Sequence, residues 1–220
     1  MISLGTVSRV DGHAYEDSPR PELAPFLPEG LGSLLDVGCH MGAYGLSVKE
    51  RFPQTLVWGI EARPEPAAIA ASRLDQVVEG LWPHDMPLGV RFDCITFNDV
   101  LEHLVDPWAA LTSTHDFLEQ GGCVIASIPN VRRLTLIEDL LLRGRWTYTD
   151  EGLLDRTHLR FFTKSSVREL FLDAGFDVES IDAIGLLPGR RGRVLARMGA
   201  LGEELRALQW VVVGRQRRRR

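Results

Sequence analysis

Leu34-Leu35-Asp36-Val37-Gly38-Cys39-His40-Met41-Gly42-Ala43-Tyr44-Gly45 is an apolar run that breaks at a glycine-rich turn. It predicts a buried strand, a tight turn and the opening of a helix. Glycine admits positive φ and lets a ligand approach the backbone closely, and the start of a helix carries N–H groups without intrahelical partners. Turns that receive a pyrophosphate use G-x-G-x-x-G. Here the spacing is G-x-x-x-G, with Asp36 two residues ahead of Gly38. An acid at the strand tip repels a pyrophosphate and suits a ligand carrying an ammonium or sulfonium group.

About 20 residues further on, a second strand, Val57-Trp58-Gly59-Ile60-Glu61, ends in an acid, the place from which a carboxylate can accept both hydroxyls of a ribose. Taken singly, the turn and Glu61 read equally well as a plain turn and a surface glutamate; their order and spacing favour a ligand site. Outward from this pair, strands are expected at Ser33–Val37, Leu56–Ile60, Gln76–Glu79, Cys94–Phe97, Cys123–Ile128, Val178–Ile184 and Trp210–Gly214. The first five are continuous apolar runs, as parallel strands buried on both faces require. Helices are expected at Ala43–Glu50, Pro64–Leu74, Pro107–Leu118 and Lys164–Ala174. This alternation predicts a doubly wound α/β sandwich forming a single domain over 1–220. Three stretches depart from it. Residues 131–162 form a long insertion with a helical pattern at Leu134–Leu142, of the length at which connections usually act as lids. Residues 186–208 read as a basic helical excursion, and 215–220 as an Arg-rich, solvated tail.

The 220-residue chain is 45% apolar and 25% charged, a globular balance that excludes a disordered regulator, a collagen-like fibre and a small disulfide scaffold. No apolar run approaches the ~20 residues that span a bilayer, and the first residues lack the order of a secretory signal. Cys39, Cys94 and Cys123 are odd in number and lie in apolar segments, as reduced core thiols of a cytoplasmic protein do. The net charge of −5 conceals an asymmetry. Ten arginines face only Glu203 and Glu204 over 190–220, leaving 15 basic and 28 acidic side chains in the first 189 residues. An acidic body argues against broad nucleic-acid affinity.

The motifs together resemble the Rossmann-like S-adenosylmethionine-dependent methyltransferases. Asp36–Gly42 is similar to their first motif and Glu61 to their ribose-binding acid. Phe92-Asp93-Cys94-Ile95-Thr96-Phe97-Asn98-Asp99-Val100-Leu101-Glu102-His103-Leu104 resembles the fourth-strand motif, ending in a D-V-L-E-H-L pattern. Leu118-Glu119-Gln120-Gly121-Gly122 resembles the turn before strand five. The resemblance implies a seven-stranded, mostly parallel sheet of order 3-2-1-4-5-7-6 and S-adenosyl-L-methionine as cofactor. It implies cofactor contacts from Asp36, Gly38, Cys39, His40, Gly42, Glu61, Ala62, Leu81, Asn98 and Asp99. Two positions depart from the family pattern: His40 replaces a glycine, and Leu81 stands where an aspartate usually faces adenine. A narrower likeness, in Ala126-Ser127-Ile128-Pro129-Asn130-Val131, Leu154–Thr163 and Ala174-Gly175-Phe176, points to a bacterial subgroup associated with glycan biosynthesis. Tyr15 and Arg20-Pro21-Glu22-Leu23 resemble the segment of that subgroup lying near the cofactor. The implied partner is a glycan-related or other small acceptor methylated on oxygen. Methylation of a quinone precursor and a non-catalytic binding module are the alternatives, and homodimerisation is open.

A hydroxyl acceptor benefits from a general base near neutral pH. His103 lies just past strand four, where it reads either as a base or as a packed histidine bonded to a carbonyl. His158 lies in the insertion, where it reads as a base or as part of an ion-pair cluster with Asp155. His158 is preferred because its segment belongs to the narrower subgroup, and Asp155 is the carboxylate alternative. Glu102 is expected to anchor the turn, and Arg156 and Arg160 to clamp an anion or form surface pairs. No metal site is expected from the histidine and cysteine spacing.

Overall fold

A computed structural model describes residues 7–10 and 13–217, and the side chains from residue 17 onward. Strands β1 (Val7–Val10) and β2 (His13–Glu16) form a hairpin that the sequence pattern does not announce. The main sheet contains β3 (Ser33–Val37), β4 (Leu56–Glu61), β5 (Gln76–Glu79), β6 (Phe92–Asn98), β7 (Leu118–Pro129), β8 (Phe176–Ile184) and β9 (Gln209–Gln216). Its order is β5-β4-β3-β6-β7-β9-β8, which is 3-2-1-4-5-7-6 when the sheet strands alone are counted. β3 to β7 run parallel, and β9 lies antiparallel between β7 and β8.

Alternation along the strands builds a core on each face of the sheet. Leu35, Val37, Ile95, Phe97, Val124 and Ala126 pack on one side with Leu111, Val167, Leu170 and Phe171. Leu34, Val57, Cys94, Cys123 and Ile125 pack on the other with Tyr44, Val48, Ala70 and Leu74. Apart from Leu74, which follows α2, the helices supplying these residues are α1 (Ala43–Arg51), α2 (Pro64–Ala70), α3 (Pro107–Ser113) and α5 (Lys164–Asp173). α4 (Leu134–Arg143) stands in the insertion, and the basic excursion folds as α6 (Gly189–Leu195) and α7 (Gly199–Arg206). No helix of the described residues is long and apolar enough to cross a membrane.

Among the expected boundaries that move, three do so for a plain local reason. α3 stops at Ser113 instead of Leu118, because the hydroxyls of Thr112, Ser113 and Thr114 turn back onto the carbonyls of Trp108, Ala110 and Leu111. Leu118 then opens β7. α2 ends at Ala70 instead of Leu74, where Ser72 bonds the Ile69 carbonyl through both its N–H and its hydroxyl. The expected tail beginning at residue 215 is instead the end of β9. Arg215 pairs with Glu179 at 2.5 Å and Arg217 with Asp177 at 2.9 Å, whereas Arg218, Arg219 and Arg220 lie outside the described residues.

Candidate active site

β3 has β4 on one side and β6 on the other, so the chain winds away from it in opposite directions. The crevice at the carboxyl ends of such strands is where open α/β sheets bind ligands. A cavity of about 810 Å³ opens there, bounded by the ends of β3, β4, β6 and β7, by residues 17–22 and by part of the insertion.

The glycine turn forms its floor. Gly38 has φ +71° and Gly42, the residue before α1, has φ +83°. His40 adopts φ +49°, the left-handed conformation that the family's glycine would supply, and its N–H donates to Glu61 Oε2 at 3.0 Å. Asp36 is buried at the tip of β3 and accepts from Thr96 Oγ1 at 2.9 Å and Asn98 Nδ2 at 3.2 Å. Burial outweighs these bonds and pushes its carboxyl up to about 7. Asn98 lines the cavity, and its Oδ1 is buried without a hydrogen-bond partner. Glu61 Oε1 also accepts from the N–H and Nε of Arg63, at 3.1 and 3.0 Å.

Asp99, at φ +56°, is held by Arg20, by Ser127 Oγ at 3.2 Å and by Gln209 Nε2 at 2.6 Å. Gln209 enters from the antiparallel strand β9, and no local sequence signal announced it. On the far side, Leu81 is exposed against the cavity. Its N–H donates to Asp85 Oδ2 at 2.7 Å, so the acid missing at position 81 returns four residues later to hold the backbone. Trp82 bonds the Ala110 carbonyl and packs on Phe97 and Phe117.

Nine of the ten expected cofactor positions line the cavity; Gly42 does not, and faces Ala70 and Leu74 instead. Tyr15 has a described backbone, while its side chain lies outside the described residues. All three catalytic candidates line the cavity as well. His103, in the turn Leu101–His103, packs its ring edge-on against His158, with centroids 4.6 Å apart. His158 is buried, its Nδ1 lies 3.2 Å from the Leu153 carbonyl, and Nε2 lies 4.0 Å from Glu102 Oε1. Burial lowers both imidazoles below their ordinary value, with the neighbouring His158 adding to the effect on His103. Glu102 is buried with neither carboxyl oxygen hydrogen-bonded, and burial, followed by the charge of Asp99, raises it well above the carboxylate range. Its backbone carbonyl accepts from the N–H groups of Leu159 and Arg160 at 2.8 and 3.0 Å, so the turn holds the insertion through its backbone, while the Glu102 side chain, expected to anchor the turn, makes no hydrogen bond.

Among the described residues, Glu102, His103 and His158 each bring one ligand-type atom within 4.8 Å of the others, a grouping hidden in the sequence by the long separation of the two histidines. Arg156 pairs with Asp150 at 3.2 Å in solvent and Arg160 bonds the Val105 carbonyl; neither lines the cavity.

The sheet order, the Asp36 turn and the cavity are those of a Rossmann-like methyltransferase domain. The chain belongs to the methyltransferase-domain family, which matches residues 12–181. A ubiquinone biosynthesis O-methyltransferase of Cereibacter sphaeroides is 28% identical over 166 residues, covering 70% of this chain; the match spans 63% of that relative's own length. A SAM-dependent methyltransferase from Archaeoglobus fulgidus superposes with a TM-score of 0.62 at 15% identity, covering 89% of this chain and 91% of that one. The plantazolicin methyltransferase BpumL, solved in complex with SAH, gives 0.59 at 18% identity, covering 85% and 77%.

Proposed function

We propose that this chain transfers a methyl group from S-adenosylmethionine to an oxygen of a small acceptor. The observation that carries the reading is one cavity lined both by the Asp36–Glu61 side and by Asp155, Thr157 and His158 of the insertion. The residues present fit the cofactor. A buried acid and the unpartnered Oδ1 of Asn98 suit an ammonium group, Glu61 with Ala62 suits a ribose, and Leu81 offers apolar cover to an adenine. The sulfonium supplies an electrophilic methyl carbon, so the oxygen–carbon bond forms as the sulfur–carbon bond breaks and sulfur keeps the electron pair. The protein's part is to align the acceptor, exclude water and take the hydroxyl proton. His103 is better placed to take that proton than His158, whose ring is buried and whose Nε2 faces Glu102.

The glycan-associated motifs support a sugar hydroxyl as acceptor, and the Cereibacter relative's name supports a quinone precursor. Incubation with methyl-labelled S-adenosylmethionine and a panel of sugar nucleotides, oligosaccharides and phenolic quinone precursors separates the two. Label is expected on oxygen in one set; bound cofactor with no transfer to any acceptor would leave a binding module.

Asp36 makes cofactor affinity depend on pH. A cationic ligand needs the ionised carboxylate, and with the free group titrating at about 7 the ionised fraction falls about tenfold per pH unit below that. Calorimetry is expected to show roughly tenfold weaker binding at pH 6 than at pH 8, and Asp36→Asn is expected to be weak at both. An affinity flat across this range in the parent protein would remove Asp36 from the ligand's charged end.

A further inference from the structure

We infer that Thr157 and Asp155 form a hydroxyl-bridged relay that fixes the tautomer of His103, so that the insertion supplies the groups that make this imidazole a base. The inference rests on the proposed methyl transfer to oxygen and adds positioning residues to it.

The geometry is a chain of short contacts. His103 Nδ1 lies 2.8 Å from Thr157 Oγ1, and that hydroxyl lies 2.7 Å from Asp155 Oδ1. The Thr157 N–H donates to the same carboxylate oxygen at 2.7 Å. Asp155 is buried, and its carbonyl accepts the His158 N–H at 3.1 Å. The two N–H donations from Leu159 and Arg160 to the Glu102 carbonyl hold the insertion against the turn that carries His103.

Proton counting settles the direction. An ionised carboxylate accepts only, and a hydroxyl has one hydrogen to give. Burial raises Asp155, but the two Thr157 donors and the neighbouring histidines outweigh it and keep the carboxyl below its ordinary range, hence ionised. The hydroxyl therefore donates to Asp155 and receives from His103. Nδ1 carries the proton and Nε2 keeps the lone pair, on a ring that lines the cavity. When Nε2 takes the acceptor's proton, the resulting imidazolium has Asp155 as its counter-charge through the Thr157 hydroxyl. The other titratable groups facing His103 are Glu102 and His158, whose burial favours their neutral forms, and Asp99. His158 is then a packing partner of the base.

The same contacts could serve only to staple the insertion down, and the tautomer distinguishes the two roles. The experiment uses the full chain labelled with ¹⁵N-histidine, with the His103 signals assigned by their loss in His103→Gln. Long-range ¹H–¹⁵N correlation at neutral pH is expected to show Nδ1 protonated and Nε2 unprotonated in the parent and in Thr157→Ser. Thr157→Val is expected to move His103 toward the Nε2–H form. Its kcat should fall about tenfold or more, a share of the 10²–10⁴ that a base contributes, with cofactor Kd unchanged and kcat recovered in Thr157→Ser. An Nε2–H tautomer in the parent overturns the relay, as does a Thr157→Val protein with the parent's tautomer and kcat. Shifts of the His103 nitrogens on titration with Mg²⁺ or Zn²⁺, with kcat requiring the ion, also overturn it by making the ring a ligand beside Glu102. If Thr157→Val does not fold, the parent spectrum decides alone. If no acceptor is methylated, the spectrum still reads the relay, so failure of the proposed reaction and failure of the relay are separable.

Discussion

His103→Ala is expected to lower kcat by about 10²–10⁴-fold, the usual contribution of a general base, while cofactor Kd stays within a few-fold. The ring lines the cavity, its Nδ1 is committed to Thr157, and burial keeps it neutral near pH 7. His158→Ala is the matched comparison. That ring is buried, bonds the Leu153 carbonyl and packs edge-on against His103. Its loss is expected to loosen His103 and cost less in kcat, together with some stability. Rapid-quench measurement of a single turnover separates chemistry from product release. A near-normal turnover in His103→Ala beside a collapsed one in His158→Ala would transfer the base role to His158. Near-normal turnover in both would leave a carboxylate or positioning alone.

Glu61→Ala is expected to weaken binding of both S-adenosylmethionine and its demethylated product by tenfold at least and about a hundredfold if both ribose hydroxyls are held, since hydrogen bonds to a charged group contribute about 1.5–3 kcal/mol each. This residue also has a structural role. Its carboxylate holds the N–H of His40, a non-glycine residue at φ +49°, and both the N–H and the Nε of Arg63. The substitution therefore removes ligand contacts and loosens the turn on which Asp36 and Gly38 depend. Arg63→Ala, which leaves the carboxylate in place, is expected to cost far less. Isothermal calorimetry on variants shown to be folded by circular dichroism makes the comparison. Unchanged affinity in Glu61→Ala would make Glu61 a turn residue and nothing more.

Strand–helix alternation and the Asp36–Gly42 motif were enough to place the seven sheet strands and the cavity, the central ones because parallel strands buried on both faces are written as largely apolar runs; β5 at the edge, with no buried residue, is not such a run. Strand ends were less legible. Cys94–Phe97 grew to Phe92–Asn98 and Cys123–Ile128 to Leu118–Pro129, since polar residues at the ends of a strand still pair with its neighbours. Thr157 carries no signal of its own in the sequence, although it stands between two residues that do, Asp155 and His158. Its importance lies in a hydroxyl shared between a carboxylate two residues away and an imidazole 54 residues away.

By itself the sequence determined the layered α/β class, the glycine turn with its acid, and Glu61 at the end of the next strand. These are local properties, carried by the period of apolar residues and by spacings of a few positions. Only the tertiary structure decided which of those residues share a space and in what protonation state. The turn after β6 meets the insertion after β7, so Glu102, His103, Asp155, Thr157 and His158 converge from two distant stretches of chain. The resulting burial raises Glu102 and lowers both imidazoles, which favours the neutral form of each. A charge is disfavoured by the loss of surrounding water, and that loss is set by what packs around a group in space, not by its neighbours in sequence.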